Sequence, residues 1–170
     1  MPQRSVIGLT DRLFPSQLKE ISCPPVAIFC EGDQKLLRRQ MIAMVGSRKP
    51  TPGGLKIAEE MAAVVSAAGF TVVSGLAIGI DTIAHVGALS ASGSTIGVCA
   101  TGLDRVYPRQ NTRLARDIVD KGVLISEFPV GTPVRKHHFP QRNRMISGLA
   151  IATVVVEAAI RSGSLITAGF

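Results

Sequence analysis

From Met41 onward, short β-branched apolar runs alternate with stretches of helical period. IAMVG (42–46) reads as a buried strand, and Lys56 to Ala68 as an amphipathic helix closed by Gly69. TVVSG (71–75) is the next strand, followed by a helix over Ile83 to Ala91. TIGVCA (95–100) is a third strand, followed by a helix over Asn111 to Val119 that stops before Gly122. VLISE (123–127) is a fourth, Gln141 to Ser147 is helical, and ATVVVEA (152–158) is a fifth strand. Short strands separated by helices predict an α/β fold, a parallel sheet with helices on both faces.

The first forty residues are less regular. Pro15, Pro24 and Pro25 interrupt them, and VAIFCEG (26–32) supplies at most an edge strand. Residues 1–40 are therefore expected to form an N-terminal extension packing on the core, with residues 41–170 as one domain. The chain shows no internal repeat or low-complexity tract. Its last residues, SGSLITAGF, open a helix, so the sheet is expected to be short by at least one unit at that end.

Composition narrows the partner. At 170 residues and 46% apolar content the chain can bury a substantial, mostly aliphatic core, with only Tyr107 and six Phe as aromatic residues. The net charge of +7 suits a polyanionic partner. The runs STIGVCATGL and AIATVVVEAAI fall short of the about 20 apolar residues of a membrane span. No apolar leader opens the sequence, so a cytoplasmic location is expected. Cys23, Cys30 and Cys99 lack CxxC spacing, which disfavours a disulfide framework or a zinc site.

The most informative segment is KHHFPQRNRMISGL, Lys136 to Leu149. Phe139 stands among Arg135, Lys136, Arg142 and Arg144, and no acid occurs between Glu127 and Glu157. A ring among uncompensated cations suits base stacking with phosphate neutralisation. Glycines follow the strand ends at Gly46-Ser47-Arg48, Ser74-Gly75-Leu76, Thr101-Gly102-Leu103 and Ser162-Gly163-Ser164. In a parallel sheet these turns share the carboxyl edge, where backbone N–H groups can face an anion. Neither G-x-G-x-x-G nor a P-loop is present.

Other polar positions admit two readings. Asp81 and His85, spaced i, i+4, form an acid/base pair or half a metal site, or else a helix cap with a packed histidine. His137 and His138, which point to opposite sides of an extended segment, donate to phosphate when protonated, a metal role being the less favoured alternative. Glu127 and Glu157 form a carboxylate pair near a sugar, or each orients an arginine such as Arg142 or Arg144.

Taken together, GSRKPTPGG, SGLAIGIDTIAH, TGLDRVYPRQN, ISEFPVGT, HFPQRNRMISGL and EAAIRSGSLITA resemble the DNA-processing protein DprA (Smf) family, in that family's order. The similarity runs from about Pro15 to the last residues. It implies an extended Rossmann-like domain, incomplete here at its C-terminal end, that binds single-stranded DNA during natural transformation. It further implies protection of incoming strands, loading of RecA onto them and self-association, with no catalysis and no cofactor or metal. Its DNA-contacting positions fall here on Ser47, Arg48, Ser74, Gly75, Lys136, Phe139, Arg142, Asn143, Arg144 and Ser164. The rival class is a phosphoribohydrolase-like nucleotide enzyme, which carries a PGGxGTxxE loop. The corresponding stretch here, SGSLITA (162–168), lacks its acid.

Overall fold

The computed structural model describes residues 4–158. Strands β1 (Arg4–Gly8), β2 (Ala27–Gly32), β3 (Met41–Gly46), β4 (Thr71–Gly75), β5 (Thr95–Val98), β6 (Val123–Ser126) and β7 (Ala152–Val156) form one sheet. Their spatial order is β1-β2-β6-β5-β4-β3-β7. All pairings from β6 to β7 are parallel, whereas β2 joins β6, and β1 joins β2, antiparallel. A mostly parallel Rossmann-like sheet is what the alternation of runs predicted.

The five strands expected after Met41 all form, with ends within two residues of the apolar runs. The N-terminal segment differs from expectation. VAIFCEG is not an edge strand: β2 lies inside the sheet, and β1, unmarked by any strong sequence signal, takes the edge. The reason is burial, since Ile28 and Cys30 are fully enclosed while Phe29 and Glu31 alternate outward.

Helices cover both faces. On one side α1 (Ser16–Lys19) and α5 (His138–Leu149) pack through Leu18, Met145, Ile146 and Leu149 against Ile28, Val73, Ile96 and Ile125. The opposite face carries α2 (Pro52–Ala67), α3 (Ile80–Ser90) and α4 (Thr112–Lys121). Ala58, Ala62, Ala84 and Ala88 let α2 and α3 lie close to Val72 and Met44, while α4 packs through Ala115 and Ile118 against Leu124. Helix α2 begins four residues before the periodic stretch, because Thr51 caps it by accepting from the Gly54 N–H at 3.1 Å and Pro52 starts it. Among the described residues no helix is long and apolar enough to cross a membrane.

Ile96 is fully buried on central β5. Ile96→Ala should therefore cost about 2–5 kcal/mol of unfolding free energy, read as a lower urea midpoint at unchanged slope. Val26→Ala, at a site 81% exposed, should leave that midpoint within experimental scatter.

Candidate nucleic-acid interface

The carboxyl ends of β3, β4 and β5 and the start of α5 frame a cavity of about 220 Å³. Its wall includes Arg48, Ile78, Tyr107, Gln110, Phe139 and Arg142. Phe139 is partly exposed in the first turn of α5, with the Arg48 guanidinium 5.7 Å from its ring centroid. Tyr107, half exposed, lies 5.8 Å from the same ring, tilted by 59°. Two aromatic rings and an arginine thus line one opening.

Arg142 sets this geometry. It is only 4% exposed, and its Nη1 donates to the Val98 carbonyl at 2.5 Å while Nε donates to Asn143 Oδ1 at 3.1 Å. A side chain at Gly75 would stand 2.6 Å from Arg142 Nη1 and 2.7 Å from the Asp81 carboxylate, so glycine alone leaves room for the pair. Burial pushes the Asp81 carboxyl up to about 6, opposed by Arg142, by the Ala77 backbone, by Arg48 and by the Gly75 backbone. The Arg142 pKa is lowered chiefly by burial, with Asp81 acting against that shift. Among the described residues the two form no direct ion pair: the Asp81 charge favours the charged guanidinium from nearby, while the Ala77 and Gly75 backbone hydrogen-bonds the carboxylate.

Several expected contacts are already occupied inside the protein. The Ser47 N–H donates to Val156 O at 3.3 Å, and its hydroxyl accepts from the Lys49 N–H at 3.0 Å. The Ile80 N–H, which opens α3, donates to Ser47 O at 3.1 Å. Gly79, at φ +86°, permits that approach, since a Cβ there would collide with the Ser47 carbonyl. At the β4 turn, Ser74 is fully buried with its hydroxyl donating to Met44 O at 2.6 Å, and Gly75 lies against both Arg142 and Asp81. At the β5 turn the Gly102 N–H donates to Thr132 O at 3.1 Å. The row of glycine turns is therefore not an open cradle of amide donors: those donors stitch the sheet edge together, and the exposed cation is a side chain, Arg48. Ser164 and the fourth glycine turn (162–164), with the rival enzyme's loop, lie outside the described residues.

The remaining basic residues divide. Lys136 is exposed on the turn into α5 but does not line the cavity. Arg144 turns away: Nη1 donates to Cys23 O at 2.6 Å and Nη2 to Glu127 Oε2, tying α5 to the N-terminal segment. Glu127 thus orients an arginine, while its own pKa is raised by burial. Glu157 does not. At φ +50° its carboxylate accepts from the Thr51 N–H and hydroxyl, and these bonds lower its pKa. His138 is buried, stacked on Phe128 at 4.1 Å and 3.2 Å from Ala100 O through Nδ1.

Asp81 is not a cap either: α3 is capped by the backbone at Gly79, and Asp81 lies buried in its first turn. His85 is fully buried, with Nδ1 2.7 Å from the Thr95 hydroxyl and Nε2 3.3 Å from Gly75 O. Among the described residues no three His, Cys, Asp or Glu gather as metal ligands. Sequence reading passed over Tyr107, Gln110 and Asn111 as site residues. The Asn111 amide donates to Leu76 O at 2.7 Å and to the Thr82 hydroxyl at 2.9 Å, pinning the Tyr107 loop beside the β4 turn. Their signal was the TGLDRVYPRQN motif after a strand end, which carries the family resemblance but marks no individual residue as a contact.

The family described as DNA recombination-mediator protein A matches residues 5–170. The chain belongs to that family. It is 41% identical over 165 residues to DNA processing protein DprA of Bacillus subtilis, covering 96% of this chain and 56% of that protein. The solved DNA processing protein A of Streptococcus pneumoniae superposes with a TM-score of 0.93 at 42% identity, over 97% of this chain and 58% of that one. The Helicobacter pylori protein, which has a single-stranded DNA binding mode, superposes with a TM-score of 0.89 at 30% identity, over 98% of this chain and 76% of that one. The chain spans about half the length of the curated relatives it matches.

Buried Asp81 and His85 give opposing pH dependences. Burial holds His85 down at about 4 against an ordinary 6.5, so its contribution to stability is intact above 6.5 and is lost as pH falls toward 4. Asp81, raised from 3.8 to about 6, makes folding more favourable as pH falls through that same range. The stability difference between wild type and His85→Gln should consequently shrink by about 2 kcal/mol between pH 7 and pH 5, measured by urea unfolding.

Proposed function

We propose that the chain binds single-stranded DNA at the carboxyl edge of its sheet, as a DNA-processing protein of natural transformation. The observation that carries this reading is Phe139, partly exposed at the cavity with Arg48 beside its ring and Arg142 charged in the wall. A flat apolar face lets any base stack, at about 1–3 kcal/mol per base. Arg48 and Lys136 would meet the flanking phosphates, and Tyr107 would close the other side of the base. A duplex would first have to unstack, so the single strand is preferred.

The site is read as binding rather than catalytic. Both nitrogens of His85 have partners and the buried Asp81 carboxylate accepts from the Ala77 and Gly75 backbone, so neither group is poised to move a proton on a ligand. The membership in a recombination-mediator family supports a role in protecting incoming strands and handing them to RecA in the cytoplasm. Self-association would accompany that role in the longer protein.

Fluorescence anisotropy with labelled oligothymidylate tests the reading. With about four phosphates neutralised, log K should fall against log salt with a slope near −3. Phe139→Ala should weaken binding with little change in slope, while Lys136→Ala should flatten it by roughly one. A salt-independent response, or equal affinity for duplex, would exclude the proposed mode.

A further inference from the structure

Three arginines continue from the cavity in one direction. Arg109 lies in the short 3-10 turn (Arg109–Asn111) that carries the cavity residue Gln110 at its centre, and Arg113 and Arg116 follow on α4. Arg113 and Arg116, spaced i, i+3, share one face of α4, and Arg109 precedes them in the adjoining 3-10 turn. All three are exposed, and none makes an ion pair among the described residues. Asp117 and Asp120 stand further along the exposed side of α4 and form no ion pair with them.

This order of charge runs against the helix itself. Acids stabilise a helix near its N-terminus and cations near its C-terminus. The first turn of α4 has no acid and carries Arg113, with Arg116 next, while both acids lie toward the far end. The buried face, Ala115 and Ile118, gives no packing reason for the arrangement. Local rules broken without compensation inside the fold mark positions kept for a ligand. The ligand must be anionic and must be reached from the cavity, since Tyr107, Pro108 and Gln110 of the wall lead straight into the row.

We propose that a single strand leaving the cavity runs along α4, its phosphates held by Arg113 and Arg116 with Arg109 at the junction. The inference rests on the single-strand reading above and extends it to a path. From Arg109 to Arg116 the rise is about 10 Å, room for on the order of two further nucleotides. The path also gives the strand one direction of exit, away from β7 and toward β6.

The experiment compares the chain with its Arg113→Gln/Arg116→Gln double variant, using labelled oligothymidylates of about four and about ten nucleotides. The short probe should bind both proteins equally. The long probe should bind the variant about 10-fold more weakly at moderate salt, with a slope flatter by roughly 1.4. The variant should melt no lower than wild type, because one cation has left the positive first turn of the helix and neither arginine makes an ion pair among the described residues. Unchanged long-probe affinity, an equal loss for both probes, or a lower melting temperature would overturn the path. Failure of wild type to bind either probe would instead remove the single-strand reading on which it rests.

Discussion

The Arg142 guanidinium lies where the ends of β4 and β5 meet α5, bonded to the Val98 carbonyl and packed with Asp81 over Gly75. A charge buried there is tolerable only with compensation in place, here the Val98 and Asn143 acceptors and the nearby Asp81 carboxylate, because an uncompensated guanidinium in the interior would cost several kcal/mol. Three elements are fixed by that requirement. Strand β4 must end in glycine, α3 must bring Asp81 in its first turn, and α5 must start where Phe139, three residues before Arg142, faces the cavity. The partly exposed ring is thus positioned by a buried arginine on the same helix, anchored to the end of β5.

The same arrangement decides how an anion could be gripped. Glycine turns at a sheet edge often offer backbone N–H groups to phosphate. Here Ser47, Gly102 and the residues under Asp81 spend those donors within the protein. Rigidity at the edge is gained and a backbone cradle is lost. The positive field comes instead from side chains: Arg48 over the ring, Arg142 beneath it and the arginines at the head of α4. Such a surface recognises charge and flat bases with little dependence on base identity.

Much of this was legible in the sequence. Each apolar run between Met41 and Val156 became a strand, because buried parallel strands leave a continuous hydrophobic signature. Phe139 and Arg48 were identifiable from residue type and from position at a strand end. What could not be read was which polar atoms find partners across long sequence separations. Arg144 looked equivalent to Arg142, yet Arg144 reaches Cys23 and Glu127 while Arg142 reaches Val98 and Asn143. Ser74 looked like a turn residue facing a ligand, and its hydroxyl serves Met44. Tyr107 carries no periodic signal, and its place beside Phe139 depends on Asn111 pinning a loop to a different strand. The antiparallel β1 was invisible because an edge strand of five residues, half exposed, has almost no pattern to show.

Tyr107 is the only tyrosine in a chain without tryptophan, so its emission reports on the cavity alone. Oligothymidylate should therefore quench tyrosine fluorescence in step with binding, as a base settles into the cavity that Tyr107 and Phe139 line. Binding that saturates by anisotropy while Tyr107 emission stays constant would mean that the strand lies elsewhere on the molecule.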